Sequence, residues 1–380
     1  MENERNHRCY LCDVLLNEHN WSYEHIIPNS IGGNLKSNSL LCKKCNEHIG
    51  ETYDAELSKM FSFVANQLGI KRDRGKSPRI KLVGNKSGEE ILLEYNKPLL
   101  SKTKVERNGN EYTITAPNRA EARRHLKGLK RKHPEIDIDG VMESTKLQRT
   151  YTQEVYGVST TYGGPNFSMA VVKIALNFCI YSGISKDYLR STIDLFQNKT
   201  QTEIDLRSVN FYYPDVECVS KGDNEVLHSI IVVGDNKEGV LYAYIELFNF
   251  IQEIVLLNDS YAGADVKYAY HFDVISRNEV DKTSMLLLTR PEIENLLSTD
   301  VSLHSKNFER LKEKYIYLMN FASEKQRKDT TKEILEKTYQ SFMSEMNLSD
   351  SDLISEEDLR KFCDKLALEL TKHKLRIDDV

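Results

Sequence analysis

Residues 21–50 read WSYEHIIPNSIGGNLKSNSLLCKKCNEHIG. An acid–histidine pair, Glu24-His25, stands directly before two isoleucines and Pro28; a Gly32-Gly33 turn follows, and the stretch runs into Cys42-x-x-Cys45-Asn46. Upstream lies a second pair, Cys9-x-x-Cys12, with 29 residues between Cys12 and Cys42. Four thiolates grouped as two knuckles suit a tetrahedral structural zinc, and the segment between the knuckles must then fold as a unit. A redox dithiol would need a surrounding βαβ pattern, and neither pair has one. Cys179, Cys218 and Cys363 occur singly, in stretches that read as packed helix or strand, and are expected to be fillers.

Working outward, the 380 residues are 40% hydrophobic and 29% charged, which suits a globular chain of two or three domains. No run of about 18 uninterrupted apolar residues occurs. The opening MENERNHRCYLC lacks the basic and apolar regions of an export signal, so no membrane contact and a cytoplasmic address are expected. In that reducing compartment closely spaced cysteines point to metal or catalysis, not to disulfides. The net charge of −5 conceals an asymmetry: residues 71–132 hold 18 Lys or Arg against 7 Asp or Glu, a balance of +11, while the remainder carries −16. Within the basic segment, PNRAEARRHLKGLKRKHP reads as a helix opened at Asn118 and stopped at Pro134. Its Arg119, Arg123, Arg124, Lys127, Lys130 and Arg131 are candidate phosphate contacts, non-specific and salt-sensitive; a solvated charged face is the plainer alternative.

The pattern predicts an α+β chain in four segments: 1–70 with the cysteines, 71–160 with a basic hairpin and helix, 161–288 with an antiparallel sheet, and a helical 289–380. RIKLV and EYTITA alternate like strands, with Asn108-Gly109 as a hairpin signal. SMAVVKIALNFCIYSG reads as a buried helix with Ser168 as cap and Gly183 as stop, and SKDYLRSTIDLFQ as a second, short helix. EVLHSIIVVG, GVLYAYIELFN and QEIVLLN read as strands, the first two joined by DNKEG. His228 and His271 are expected to be packed and hydrogen-bonded, and Tyr242, Tyr244, Phe248 and Phe250 to be core. SEEDLRKFCDKLALELTK reads as an amphipathic helix capped by Ser355.

Taken in order over residues 7–57, Cys-x-x-Cys, EHIIPNSIGG and LLCKKCN resemble the HNH endonuclease family. The resemblance implies a small ββα-metal fold, with a zinc-stapled hairpin against one helix, that hydrolyses phosphodiesters. It makes His25 the general base, which must then stay neutral near pH 7, and assigns a divalent ion, magnesium or manganese, to Glu24 and Asn46. Lys43 and Lys44, inside the second knuckle, would meet the substrate backbone. Ser37 holds the usual offset of the family's central asparagine and Asn38 comes one residue late, so either is open for that role. One geometric condition follows: neighbours on a regular strand point to opposite faces, so Glu24 and His25 share a phosphate only if the chain bends at residues 26–28.

The expected function is a metal-dependent DNA endonuclease, with RNA also open as substrate, in a layout that resembles bacterial restriction or antiphage defence nucleases. Two alternatives stand beside it: a ligand-gated HNH effector whose C-terminal region senses a cyclic oligonucleotide or other nucleotide activator, and a non-catalytic nucleic-acid-binding protein. A homodimer through the helical C-terminal residues would suit double-strand cutting.

Overall fold

The computed structural model describes residues 7–73, 79–94, 97–109, 111–146, 154–197, 208–298, 305–349 and 353–375. In chain order these form β1 (Glu24–His25), β2 (Lys36–Ser37), α1 (Lys43–Ile49), a π-helical turn (Gly50–Asp54), α2 (Ala55–Met60) and α3 (Ser62–Leu68). There follow β3 (Ile80–Gly84), β4 (Glu90–Glu94), β5 (Lys97–Leu100), the hairpin β6 (Lys104–Asn108) and β7 (Glu111–Thr115), α4 (Arg119–Lys130), α5 (Ile138–Glu143) and β8 (Tyr156–Gly157). Next come α6 (Pro165–Tyr181), α7 (Arg190–Gln197), β9 (Val209–Phe211), β10 (Leu227–Asp235), β11 (Val240–Leu247), β12 (Ile251–Asn258), β13 (Val266–Asp273) and β14 (Asn278–Glu279). The helices α8 (Arg290–Ser298), α9 (Ser305–Glu345) and α10 (Glu356–Leu375) complete the α+β chain. Among the described residues no helix is long and apolar enough to cross a membrane.

Two compact units emerge, Met1–Pro78 with Ser159–Phe321 and Arg79–Val158 with Ala322–Val380. The cysteine-bearing segment thus shares a unit with the large sheet. That sheet is antiparallel, in the order β14-β13-β10-β11-β12-β9. Its central strands β10 and β11 are buried along almost their whole length, which requires cover on both faces. One face carries Leu227, Ile231, Tyr242, Tyr244 and Ile254 against Leu286, Leu288 and Ile293 of the α8 region. On the other lies α6, which contacts β10, β11 and β12 and also α2 and the π turn. A helix in such a position must be apolar all round, and its residues 169–179 are buried without interruption.

The α6 helix starts earlier than its serine suggests. Pro165 takes the first position after Gly164, because a proline presets the helical φ and gives up an N–H that has no partner there; Ser168 is already inside the first turn. Gly183, at φ 90°, follows the end as expected. The stretch read as one short helix after it divides into a 3-10 turn, Lys186–Leu189, and α7. Ser355 does cap α10, accepting the Asp358 N–H at 3.1 Å, and Phe362 of α10 packs on Phe342 of α9 with ring centroids 5.5 Å apart.

Aromatic packing ties α2 and α3 to the sheet. Phe61, between those helices, lies 5.4 Å from Phe248, 5.8 Å from Phe250 and 5.3 Å from Tyr162, centroid to centroid. Phe248 and Asn249 form the tight β11–β12 turn with φ of 55° and 63°, a left-handed conformation that costs a side-chain-bearing residue energy. Burial of the Phe248 ring against Phe61 and His228 offsets that cost. The aromatic series is therefore core, as its spacing predicts. His228 adds a polar tie: Nε2 donates to the Ile31 carbonyl at 2.8 Å, and Nδ1 accepts the Phe248 N–H at 3.3 Å. Burial holds its pKa down, at about 4.

Candidate active site

The two Cys-x-x-Cys pairs meet. Cys9 and Cys12 lie in a tight loop closed by the Asp13 N–H on the Cys9 carbonyl at 2.9 Å, while Cys42 caps α1 and Cys45 sits in its first turn. All four sulfurs fall within 4.8 Å of one another, and Cys12 Sγ is 3.7 Å from Cys42 Sγ. Sulfurs arranged tetrahedrally at about 2.3 Å from zinc would be about 3.8 Å apart, so this set fits a structural zinc. The remaining cysteines play no part: Cys179 and Cys218 are buried and Cys363 is exposed.

The hairpin that the cysteines staple is short: β1 pairs only at Glu24 and His25, and Pro28, three residues beyond His25, has no N–H to extend the ladder. Glu24 opposes Ser37 and His25 opposes Lys36 in regular antiparallel register. The two turn glycines serve different ends. Gly32 takes φ 98°, whereas Gly33 is needed for space: a Cβ there would lie 1.9 Å from the Ile27 carbonyl oxygen. This turn returns β2 beside β1 and leaves a cavity of about 300 Å³ lined by Glu24, His25, Asn29, Asn46, Asp54 and Ser58, among others. The acid–histidine pair thus reaches one cavity despite its strand alternation.

His25 is half-buried, and burial lowers its pKa below the ordinary histidine range against the opposing pull of Asp73. Nε2 lies 3.5 Å from Asp73 Oδ2, near enough for charge to be felt but not aligned as a hydrogen bond, and that nitrogen has no hydrogen-bond partner among the described residues. A carboxylate on that side favours the tautomer with its proton on Nε2, which leaves Nδ1 as the acceptor. Asp73 is held by its own N–H on Asn29 Oδ1 at 2.8 Å, by Lys36 at 3.7 Å and by Arg277 at 3.5 Å. Ser37, at the central asparagine's offset, instead braces Ser39 through its hydroxyl at 2.8 Å, and Asn38 is exposed.

Asn46 commits its amide nitrogen, donating to Ser22 Oγ at 2.9 Å and the Tyr23 carbonyl at 3.3 Å. Glu24 is only 2% exposed and has a demanding partner. Lys173 of α6, fully buried, pairs with Glu24 Oε1 and with both oxygens of Asp54, the latter at 2.7 and 2.6 Å. Asn177, one turn along α6, donates to Glu24 Oε1 at 2.9 Å and accepts from the Tyr10 hydroxyl at 2.8 Å, so the first cysteine knuckle is linked to the acid. Burial pushes the Glu24 carboxyl above its ordinary range against Lys173. Burial also works against the Lys173 charge, yet Asp54 and Glu24 outweigh it and carry the amine above the ordinary lysine range. The lysine direction decides the state of the group, because two carboxylates surround one amine.

Comparison with known proteins bears on this segment. Residues 9–62 match the family model of HNH endonucleases. The chain carries an HNH domain. No curated protein and no solved structure matches the chain. The matched stretch holds the cysteine cluster, both hairpin strands, α1 and Asp54, whereas Asp73, Lys173, Asn177 and Arg277 come from outside it. Lys43 and Lys44 of the HNH domain are exposed, Lys43 standing 4.0 Å from Glu47; His48 is exposed too, as its helical offset from Asn46 implies.

The basic residues of α4 belong to the other compact unit. All six are exposed. Arg123 pairs with Asp139, Arg124 with Glu121 at 2.7 Å, and Arg119 donates to the Met142 carbonyl at 2.5 Å. Lys127, Lys130 and Arg131 make no ion pair among the described residues. Beside them runs a groove of about 310 Å³ between α4 and β6, lined by Val105, Arg124, His125, Gly128, Leu129 and Lys132.

Proposed function

We propose that this chain is a metal-dependent HNH endonuclease that hydrolyses DNA phosphodiester bonds. The observation that carries the reading is a half-buried histidine, its pKa lowered by burial, in one cavity with Glu24 and Asn46. A base needs a free lone pair at working pH, and the tautomer with its proton on Nε2 would leave one on Nδ1. It would accept a proton from water there while Asp73 faces the opposite edge of the ring.

Glu24 and Asn46 would hold the divalent ion. Their donor set fits: Asn46 has spent its nitrogen and keeps its amide oxygen, and Glu24 has spent only Oε1. Glu24 and Asp54 together with Lys173 leave one net negative charge, which suits a hard dication bound through oxygen. When bound, magnesium or manganese offsets charge on the phosphate oxygens and the departing 3′ oxygen. Lys127, Lys130 and Arg131 of α4, with Lys43 and Lys44, are proposed to meet substrate phosphates without reading bases.

The test is plasmid cleavage by the wild-type chain and by His25→Ala, each with magnesium, manganese or chelator. Cleavage that needs the ion and falls about a thousandfold in the variant is expected; equal cleavage by both proteins refutes the assignment of the base. Metal-indifferent DNA binding with no cleavage would instead identify a non-catalytic binding protein.

A further inference from the structure

The α6 helix is the buried spine of its unit, covered on every side over residues 169–179, yet it presents Lys173 and Asn177, one turn apart, to the acid side of the HNH cavity. Both reach residues of the family-matched segment from more than a hundred positions downstream. Lys173 has no access to solvent, so it is not a surface cation that drifted onto an acid. Its three donors are spent on Glu24 and on both oxygens of Asp54.

We propose that Lys173 is a positioning residue of the HNH site: its ammonium clamps Glu24 and Asp54 together, fixes the carboxylate for one divalent ion, and occupies the place a second ion would take. The proposal rests on the nuclease reading and deepens it. Two carboxylates that share one ammonium are close enough to share a cation of another kind. Take the ammonium away and the pair carries two negative charges, one on buried Glu24 and one on half-buried Asp54, where an unpaired charge is penalised. Protonation of one acid, or capture of a metal ion, would relieve it, and oxygen donors in this number suit manganese. The α6 helix is thus part of the site: the family-matched segment alone supplies two acids and a histidine, and α6 of the same compact unit supplies the cation that sets their charge. Asn177 completes the arrangement by tying Glu24 to Tyr10, within the first knuckle.

The experiment uses the full chain with its cysteine site loaded with zinc and Lys173→Met, which keeps the length of the side chain and removes its charge. Bound manganese is counted by electron paramagnetic resonance, and melting is followed with and without manganese. Wild type is expected to bind one manganese ion, with little change in Tm. Lys173→Met should bind an additional ion at least tenfold more tightly, melt several degrees lower without manganese, and recover most of that loss with it. An unchanged ion count together with a melting loss that manganese leaves alone would overturn the proposal and make Lys173 a structural ion pair only. Should Lys173→Met fail to fold, Asp54→Asn decides: with Lys173 left to Glu24 alone, manganese affinity should drop at least tenfold, and unaltered affinity overturns the proposal. The nuclease reading fails separately, by absent cleavage in the wild-type plasmid assay, and the ion count stands apart from that result.

Discussion

Glu253 on β12 should be a source of instability at neutral pH, and its removal should strengthen the protein. It alternates with Gln252 and Ile254, and because Ile254 belongs to the cluster on the α8 side, Glu253 faces the side that α6 covers. The residue is 2% exposed, one carboxyl oxygen has no hydrogen-bond partner among the described residues, and burial raises its pKa from 4.5 to about 8. A folded-state pKa above the unfolded one means that the group's stabilising effect is complete below about 4.5 and is lost as the pH rises through about 8. At pH 7 the unfolded chain has released a proton that the folded chain keeps. At about 1.4 kcal/mol per pH unit over that interval the difference costs about 3 kcal/mol. Glu253→Gln matches the shape of the protonated acid and ends the proton exchange, so urea unfolding at pH 7 should show a gain of about 3 kcal/mol, shrinking to about 1 kcal/mol at pH 5. His228 works in the opposite direction: its pKa is depressed to about 4, so its contribution is present above 6.5 and is lost as the pH falls through 4. Between pH 7 and 5 the two nearly cancel in the wild type, and Glu253→Gln should therefore expose a fall of about 2 kcal/mol on acidification. A gain that stays the same at pH 5 and pH 7 would refute the reasoning.

Other perturbations address the hairpin, the cysteine cluster and the basic helix. Gly33→Ala drives a Cβ into the Ile27 carbonyl and should cost about 3 kcal/mol, whereas Gly128→Ala, in a helix with open space around it, should gain about 1 kcal/mol; equal effects in thermal melts would contradict the turn geometry. Atomic spectroscopy should find one zinc per chain, lost in Cys42→Ser together with a drop in Tm; full retention of the metal would exclude the four-sulfur site. Replacing Lys127, Lys130 and Arg131 by alanine should flatten the dependence of log Kd on log salt for DNA by roughly 3, at about 0.9 for each lost phosphate contact, and an unchanged slope would remove α4 from the interface.

What could be read in advance followed from how far apart the cooperating residues lie in the chain. Cys9, Cys12, Cys42, Cys45, Glu24, His25 and Asn46 fall within one short segment, so spacing alone brings them into relation, and the sulfurs do converge. The long apolar stretches of α6, β10 and β11 declared themselves through burial patterns, and the aromatic series through its period. The start of α6 lies three residues before Ser168: a serine resembles a cap, while a proline at the first helical position competes for the same boundary. Lys173 and Asn177 stood in plain view as two polar residues at i and i+4 in an otherwise apolar helix, a spacing that puts both on one face. That pattern announces a buried polar partner without saying which one, because Glu24 and Asp54 are joined to it only by tertiary packing. Asp73 gave less warning still, as one acid in a basic stretch, held beside His25 by Asn29, Lys36 and an arginine two hundred residues further on. The physical consequence is that motif residues can identify the chemistry of this cavity, whereas its net charge and the orientation of its base are set by residues that local sequence order does not connect to it.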